Sequence, residues 1–251
     1  MAAFPLMLPG TSRPPKLVVF DLDHTLIACD ATILWTEFLY EKKIVTDPIW
    51  RQYDRDMVKS YAKGVLDIRD FCRKHAGAFR SIPEEKLHAL AQEFAKKKIA
   101  PLIFPDGKNA LQANIPACVL SASAAFIVKP IAKLFGLTDA MGIELAFKDG
   151  FCTGEIVGIP TFQEGKVERL SQRLAEAGIG FEDVLFFTDS RNDLPLAERA
   201  GYTVCVNPDA VLESSARKNG WKVAEWKLSL RTQMTAQVDA KGVPETQTVR
   251  S

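Results

Sequence analysis

Apolar and polar positions divide the chain into two regimes. Residues 16–20 form a short apolar run with two valines, closed by Pro14 and Pro15 before it and by acidic residues after it. Such a run predicts a buried strand. From about residue 32 to residue 100 the pattern turns helical. Thr46-Asp47-Pro48 offers a cap and a first-turn proline for a new helix. Ser81-Ile82-Pro83-Glu84 fits a capping box. Leu87, Leu90, Ala91, Phe94 and Ala95 then recur at the spacing of one amphipathic helix face. No strand signal interrupts this stretch. It predicts a helical bundle, with Trp35, Phe38 and Tyr61 in the bundle's own core.

Beyond Pro105-Asp106-Gly107 short apolar strands alternate with helices. Strands are predicted near 117–120, 143–147, 184–187 and 203–206. Helices are predicted near 108–114, 125–135, 166–177, 194–200 and 210–219. Residues 147–151 read as a hairpin turn leading into Gly154-Glu155-Ile156-Val157. The pattern predicts an α/β fold: a Rossmann-like, mainly parallel sheet with helices on both faces and an inserted helical cap. The core is expected over 16–30 and 104–227, the cap over 31–103, a tail over 1–15, and a disordered polar tail over 228–251. Ligands of open α/β sheets bind at the carboxyl ends of the strands. A cap inserted directly after the first strand would cover that place.

Composition narrows the partners. The 251 residues carry 32 basic and 31 acidic side chains, a formal charge of +1. No net field draws the chain to nucleic acid or to an anionic membrane. No apolar run reaches membrane-spanning length. Cys29, Cys72, Cys118, Cys152 and Cys205 form no C-x-x-C pair and are odd in number. Neither a disulfide framework nor a zinc site is expected, and reduced thiols in the cytoplasm are. The oligomeric state is not readable.

Three polar clusters follow predicted strands: Asp21 with Asp23, Ser121-Ala122-Ser123, and Asp189-Ser190-Arg191-Asn192-Asp193. Lys166 opens a helix after a loop. Clustered carboxylates repel one another and call for a cation, and oxygen-only ligands suit Mg²⁺. A lysine beside them offsets negative charge and meets an anionic substrate. A small hydroxyl residue at a helix start can cradle phosphate. These parts point to metal-assisted chemistry on a phosphate ester.

Asp21-Leu22-Asp23-His24-Thr25 resembles the D-x-D-x-T motif of haloacid dehalogenase (HAD) superfamily phosphatases. Ser121, Lys166 and Asp189 with Asp193 match the family's second, third and fourth motifs in order. The inserted bundle resembles a C1-type cap. Gly154-Glu155-Ile156-Val157-Gly158 and Glu164-Gly165-Lys166 resemble the branch of phosphoserine phosphatase and HAD-type histidinol-phosphatase. The resemblance implies that Asp21 is the nucleophile and Asp23 the acid and base. It implies Mg²⁺ on Asp21, Asp189 and the Asp23 backbone carbonyl. Ser121 and Lys166 would hold phosphoryl oxygens. Thr25, Asn192 and Asp193 would support the site. Asp30 stands where phosphoserine phosphatases carry an acid that meets the substrate's ammonium; it is equally a candidate helix cap. Arg51, Arg55, Arg69 and Arg73 lie on predicted cap helices, where one could grip a substrate carboxylate. His24 is expected to orient, and His75 and His88 to have no chemical role. The implied substrate is a small phosphorylated metabolite, phosphoserine first and histidinol phosphate second. A silent binding protein of the same fold and a phosphotransferase are the rival readings.

Overall fold

The computed structural model describes residues 14–111 and 115–229. The strands are β1 (Leu17–Phe20), β2 (Ala117–Ala124), β3 (Ala140–Ile143), β4 (Leu145–Lys148), β5 (Phe151–Ile156), β6 (Val184–Thr188), β7 (Tyr202–Val206) and β8 (Lys222–Ala224). Six of them form one parallel sheet in the order β3-β2-β1-β6-β7-β8. Side chains of a strand alternate between faces, and both faces of this sheet are buried. Leu17 and Val19 of β1, with Val184 and Phe186 of β6, pack on one side. Val18 and Phe20, with Leu185 and Phe187, pack on the other. That is why these strands read as unbroken apolar runs.

The helices are α1 (Ala31–Glu41), α2 (Ile49–Lys63), α3 (Ile68–His75), α4 (Glu84–Phe94), α5 (Pro105–Ala110), α6 (Ala125–Ala132), α7 (Glu164–Ala177), α8 (Leu194–Ala197) and α9 (Ala210–Asn219). The first four lie between β1 and the rest of the sheet. Leu87, Leu90, Ala91, Phe94 and Ala95 are all buried, as their spacing predicts. Trp35 packs its ring against Phe38, Phe94 and Phe126. After α4 a π turn over 95–99 and a 3-10 turn over 100–102 bring the chain back. There Ile27 pairs with Ile103, Ala28 N–H donates to Leu102, and Phe104 N–H donates to Leu26. The two crossings into the helical insert therefore run side by side.

Several local expectations give way to tertiary contacts. The single strand near 143–147 is two: β3 belongs to the main sheet, and β4 pairs antiparallel with β5 in a separate hairpin. Its turn places Asp149 and Gly150 at φ 51° and 78°, the left-handed pair that a two-residue hairpin needs. The capping box of Ser81 does not form. Pro83 holds the cap position, and Glu84 N–H donates to the Gly150 carbonyl at 2.8 Å. The hairpin turn supplies the acceptor that Ser81 was expected to provide. Pro48 stands at the cap of α2 rather than in its first turn, and Asp47 accepts from Ile49 N–H. The polar strand β8, at the sheet edge, carried no apolar signal. The tail expected over 1–15 lies outside the described residues except for 14 and 15, and that over 228–251 except for 228 and 229. Among the described residues no helix is long and apolar enough to cross a membrane.

The helical insert contains a buried titratable pair. His75 and Asp54 are 5% and 4% exposed. His75 Nε2 lies 3.0 Å from the Thr36 hydroxyl and 3.5 Å from Asp54 Oδ1. Burial pushes Asp54 up to about 7, and neither of its carboxyl oxygens has a hydrogen-bond partner among the described residues. Burial pushes His75 down to about 4. The two act on stability in opposite directions. Folded Asp54 holds a proton that the unfolded chain releases near the ordinary aspartate value, so its contribution is lost as pH rises from about 4 to about 7. Unfolded His75 takes a proton that the folded state refuses, so its contribution is lost as pH falls from about 6.5 to about 4. Asp54→Asn is expected to be more stable than wild type by about 2 kcal/mol at pH 8. The gain should fade by pH 4 and leave a variant with a steeper acid decline. Urea unfolding across that range measures it; a gain independent of pH would show that Asp54 stays charged in the folded state.

Candidate active site

The three polar clusters converge because β1 is flanked by β2 on one side and β6 on the other. Phe20 pairs with Val119 and with Phe187. Asp21 follows Phe20, Ser121 lies two residues past Val119, and Asp189 two past Phe187. The strand order reverses direction at β1, the place where open α/β sheets form a crevice. His24 takes φ 56°, and the N–H groups of Thr25, Leu26 and Ile27 all turn back onto the Leu22 carbonyl. That curl holds Asp21 and Asp23 at the strand end.

Lys166 reaches the carboxylates from below. It lies in the first turn of α7, and a Cβ on the preceding Gly165 would stand 1.9 Å from the Pro160 carbonyl oxygen. Only glycine permits that approach. Lys166 is 1% exposed. Its Nζ stands 2.7 Å from Asp21 Oδ1 and 2.7 and 2.8 Å from the two oxygens of Asp193. Thr188 donates to Asp193 at 2.7 Å. Asp23 Oδ1 accepts from Ala31 N–H at 2.7 Å, and Oδ2 accepts from the Ser123 hydroxyl at 2.9 Å and the Ser121 hydroxyl at 3.4 Å. Ser121 lies inside β2, not at a helix start; α6 begins after Ala124 with no side-chain cap. Thr25 stands 3.5 Å from Asp21 Oδ2.

Charge is crowded here. Burial, opposed by Lys166 but reinforced by Asp193 and Asp23, pushes Asp21 up to about 7. Burial and the charge of Asp30 push Asp23 up to about 6. Burial, with Asp21 and Asp193, holds Asp189 well above the ordinary carboxylate range. For Lys166 burial alone would lower the value, but Asp193 and Asp21 more than offset it and keep the ammonium charged. The five cysteines are free. Burial raises each thiol, so none is an activated nucleophile.

A cavity of about 280 Å³ opens above the carboxylates. Asp21, Asp23, Asp30, Asp189 and Ser123 line its floor, and Met57, Val58, Tyr61, Leu66, Ile68 and Phe71 of the helical insert line its roof. Asp30 holds both of its expected places: it caps α1 by accepting from Ile33 N–H at 3.0 Å, and it faces the cavity. Tyr61 leaves the bundle core assigned to it and comes down beside Asp193, Asp21 and Asp189, whose charges add to burial in raising its hydroxyl. None of the described lining residues is an arginine or lysine. Arg51 makes a two-point pair with Glu37, and Arg55 binds Gln52. None of Arg51, Arg55, Arg69 and Arg73, the candidates for a substrate carboxylate, lines the cavity. His24 stands at the cavity wall.

A family model described as haloacid dehalogenase-like hydrolase matches residues 18–198. The chain belongs to that family. It is a hydrolase of the HAD phosphatase type, and several of its relatives carry phosphatase names. A histidinol-phosphatase of Neisseria meningitidis serogroup C is 36% identical over 220 residues, 84% of this chain and 99% of that one. A crystal structure of a protein of unknown function from Bordetella pertussis Tohama I superposes with a TM-score of 0.75 at 31% identity, covering 83% of this chain and 97% of that one. A phosphoserine phosphatase structure, described as a phospho-aspartyl intermediate analogue, superposes with a TM-score of 0.63 at 21% identity, covering 89% and 99%. That last likeness is one of fold.

The hydrolase offers hard oxygen donors for a cation. No group of three or more Asp, Glu, His or Cys side chains forms a metal cage among the described residues. A set of two carboxylates and one backbone carbonyl, as Asp21, Asp189 and the Asp23 carbonyl would make, does not need one. Burial first, and then the charges of neighbouring aspartates, raise Asp21 and Asp189, and a divalent ion held between them would offset both. Sequence reasoning missed Thr188, Gln163 and the role of Tyr61. Thr188 sits at a strand end where a hydroxyl is common, and the other two act through contacts far apart in the chain.

Proposed function

We propose that the chain is a Mg²⁺-dependent phosphomonoester hydrolase that works through an aspartyl-phosphate on Asp21. The observation that supports it is the pairing of Asp21, held by a buried lysine, with Asp23, whose acidity burial shifts up to about 6, on the floor of a cavity roofed by the helical insert. Asp21 attacks phosphorus, and the bond to the ester oxygen breaks. Protonated Asp23 gives its proton to the departing oxygen. Asp23 then takes a proton from the water that attacks the phosphorus, freeing inorganic phosphate and restoring Asp21. Burial and Asp30 give Asp23 the intermediate acidity that both halves need. Lys166, with the hydroxyls of Ser121 and Ser123, holds phosphoryl oxygens, while Thr25, Asn192 and Asp193 keep the carboxylates and lysine in place. Asp21, Asp189 and the Asp23 carbonyl would hold Mg²⁺, which would supply Lewis-acid stabilisation of the phosphoryl charge.

The substrate is a small phosphate ester of a cytoplasmic metabolite that also carries an ammonium group. The cavity is acidic at its floor through Asp30 and apolar at its roof. An ammonium group has a partner in Asp30. A carboxylate meets no arginine or lysine among the described lining residues, and burying it without a counter-charge would be costly. On this lining we rank histidinol phosphate ahead of phosphoserine, the reverse of the order expected from sequence. In Mg²⁺ buffer, histidinol phosphate should be hydrolysed at least about tenfold more efficiently than phosphoserine, the scale of one unpaired buried group, and chelation should abolish both. Brisk turnover of sugar or nucleotide phosphates with neither amine ester hydrolysed would refute the substrate class.

A further inference from the structure

Gln163 stands just before α7 at φ 49° and ψ −124°, a backbone region that favours glycine. A bulky residue kept there implies a use for its side chain. The Gln163 amide points away from its own helix. Its Nε2 donates to the Gly64 carbonyl at 3.3 Å and to Asn192 Oδ1 at 3.1 Å. Asn192 Nδ2 in turn donates to the Tyr61 carbonyl at 3.0 Å and to the Ser190 hydroxyl at 3.3 Å. Tyr61 and Gly64 belong to the last turn and the cap of α2. The final carbonyls of a helix have no donors of their own within it. Here Gln163 supplies the Gly64 carbonyl, and Asn192 gives the Tyr61 carbonyl, which also accepts from Gly64 N–H at 2.9 Å, a second donor, across 99 and 131 residues of chain. The Tyr61 ring also packs on Phe162, at 5.8 Å between centroids.

We propose that Gln163 is a positioning residue that latches the end of α2 onto the catalytic loops, tying closure of the cavity roof to the placement of Lys166 and the 189–193 loop. Three contacts make the connection. The Gln163 carbonyl accepts from Lys166 N–H at 3.0 Å, fixing the turn that presents the lysine. The Gln163 amide holds Asn192, next to Asp193, which binds Lys166. The same amide holds Gly64, while Met57, Val58 and Tyr61 of the same helix form the roof. Lifting α2 breaks the bonds to Gly64 and Tyr61 together; the Gly64 carbonyl passes to water, while the Tyr61 carbonyl keeps Gly64 N–H. The bonds are solvent-competitive, so the latch biases the roof toward closure without locking it.

Gln163→Met keeps the side-chain length and the backbone conformation but removes the donor. Two measurements on the full chain test the latch. Hydrogen exchange in the ligand-free protein should speed up about tenfold over residues 57–66, the scale of one lost hydrogen bond, and stay unchanged in α1 and α4. KM for histidinol phosphate in Mg²⁺ buffer should rise about tenfold while kcat changes less than about twofold, because binding, not chemistry, loses the closed roof. Gln163→Glu, which cannot donate, should match the methionine variant in exchange. Unchanged exchange at 57–66, faster exchange throughout the molecule, or a fall in kcat at constant KM would each overturn the proposal. The kinetic arm rests on the phosphatase reading above, but the exchange arm does not. If histidinol phosphate is not turned over, exchange alone decides the latch, and the two failures stay distinguishable.

Discussion

Asp21→Asn is expected to lower phosphate release by roughly ten-thousandfold or more, the scale at which removal of a covalent nucleophile leaves only binding and electrostatic catalysis. The change is nearly isosteric. Asp21 is 5% exposed at the end of β1, and its backbone N–H bond to Phe187 does not depend on the side chain. One acid leaves a cluster in which burial and neighbouring charge already hold Asp21 near 7. The folded state should therefore survive, with cooperative unfolding by circular dichroism close to wild type. Lys166 keeps Asp193 as its counter-charge at 2.7 Å. Phosphate release from histidinol phosphate or an aryl phosphate, with and without Mg²⁺, reads the effect. Residual activity above about one per cent in a folded Asp21→Asn protein, against the loss expected for a nucleophile, would remove Asp21 from that role and leave Asp23 as the acid to test next.

Lys166→Met should cost both activity and stability. Lys166 is one of the largest fully buried side chains in the chain and carries the charge that offsets Asp21 and Asp193. Removing one partner of a buried ion pair strands the other, at about 3–5 kcal/mol. Here two carboxylates are stranded, although proton uptake by Asp21, already raised to about 7, relieves part of the cost. Urea unfolding at pH 8 should show the destabilisation and at pH 5 a smaller one. Activity should fall about a thousandfold or more, since a positive group facing phosphoryl oxygens is removed. In the double variant Lys166→Met with Asp21→Asn, the stability loss should be less than the sum of the single changes, because the charge and its partner leave together. Strict additivity would mean that the 2.7 Å contact carries no coupling.

These effects differ in how far they were legible beforehand. Asp21, Asp23, Ser121, Asp189 and Asp193 were readable because each follows a short apolar run, and a parallel sheet brings strand ends together whatever the length of chain between them. Lys166 was readable as a lysine that opens a helix after a loop, and its role came from the family resemblance; why glycine precedes it is a matter of packing against Pro160. Asp30 was readable as an acid next to a helix start, and it is both a cap and a wall of the cavity. The arginines were readable as cap-helix residues but not as absent from the cavity. Their positions along α2 and α3 depend on how the helices rotate, and Arg51 is drawn outward by Glu37. Ser81 failed as a cap because the Gly150 carbonyl, far along the chain, took its place.

Hydrophobic periodicity and turn chemistry by themselves determined the parallel sheet, the helical insert after the first strand and the acids at the strand ends. Each of these is set by residues close in sequence, through which side is buried and where the backbone can turn. Only the tertiary structure decided the rest. The roof without a basic residue, the descent of Tyr61 to the carboxylates and the bonds from Gln163 and Asn192 to the end of α2 join segments about a hundred residues apart. So do the raised acidities of Asp21, Asp23 and Asp189. Burial is a property of everything packed around a group, and a charge acts over distance in space, not along the chain.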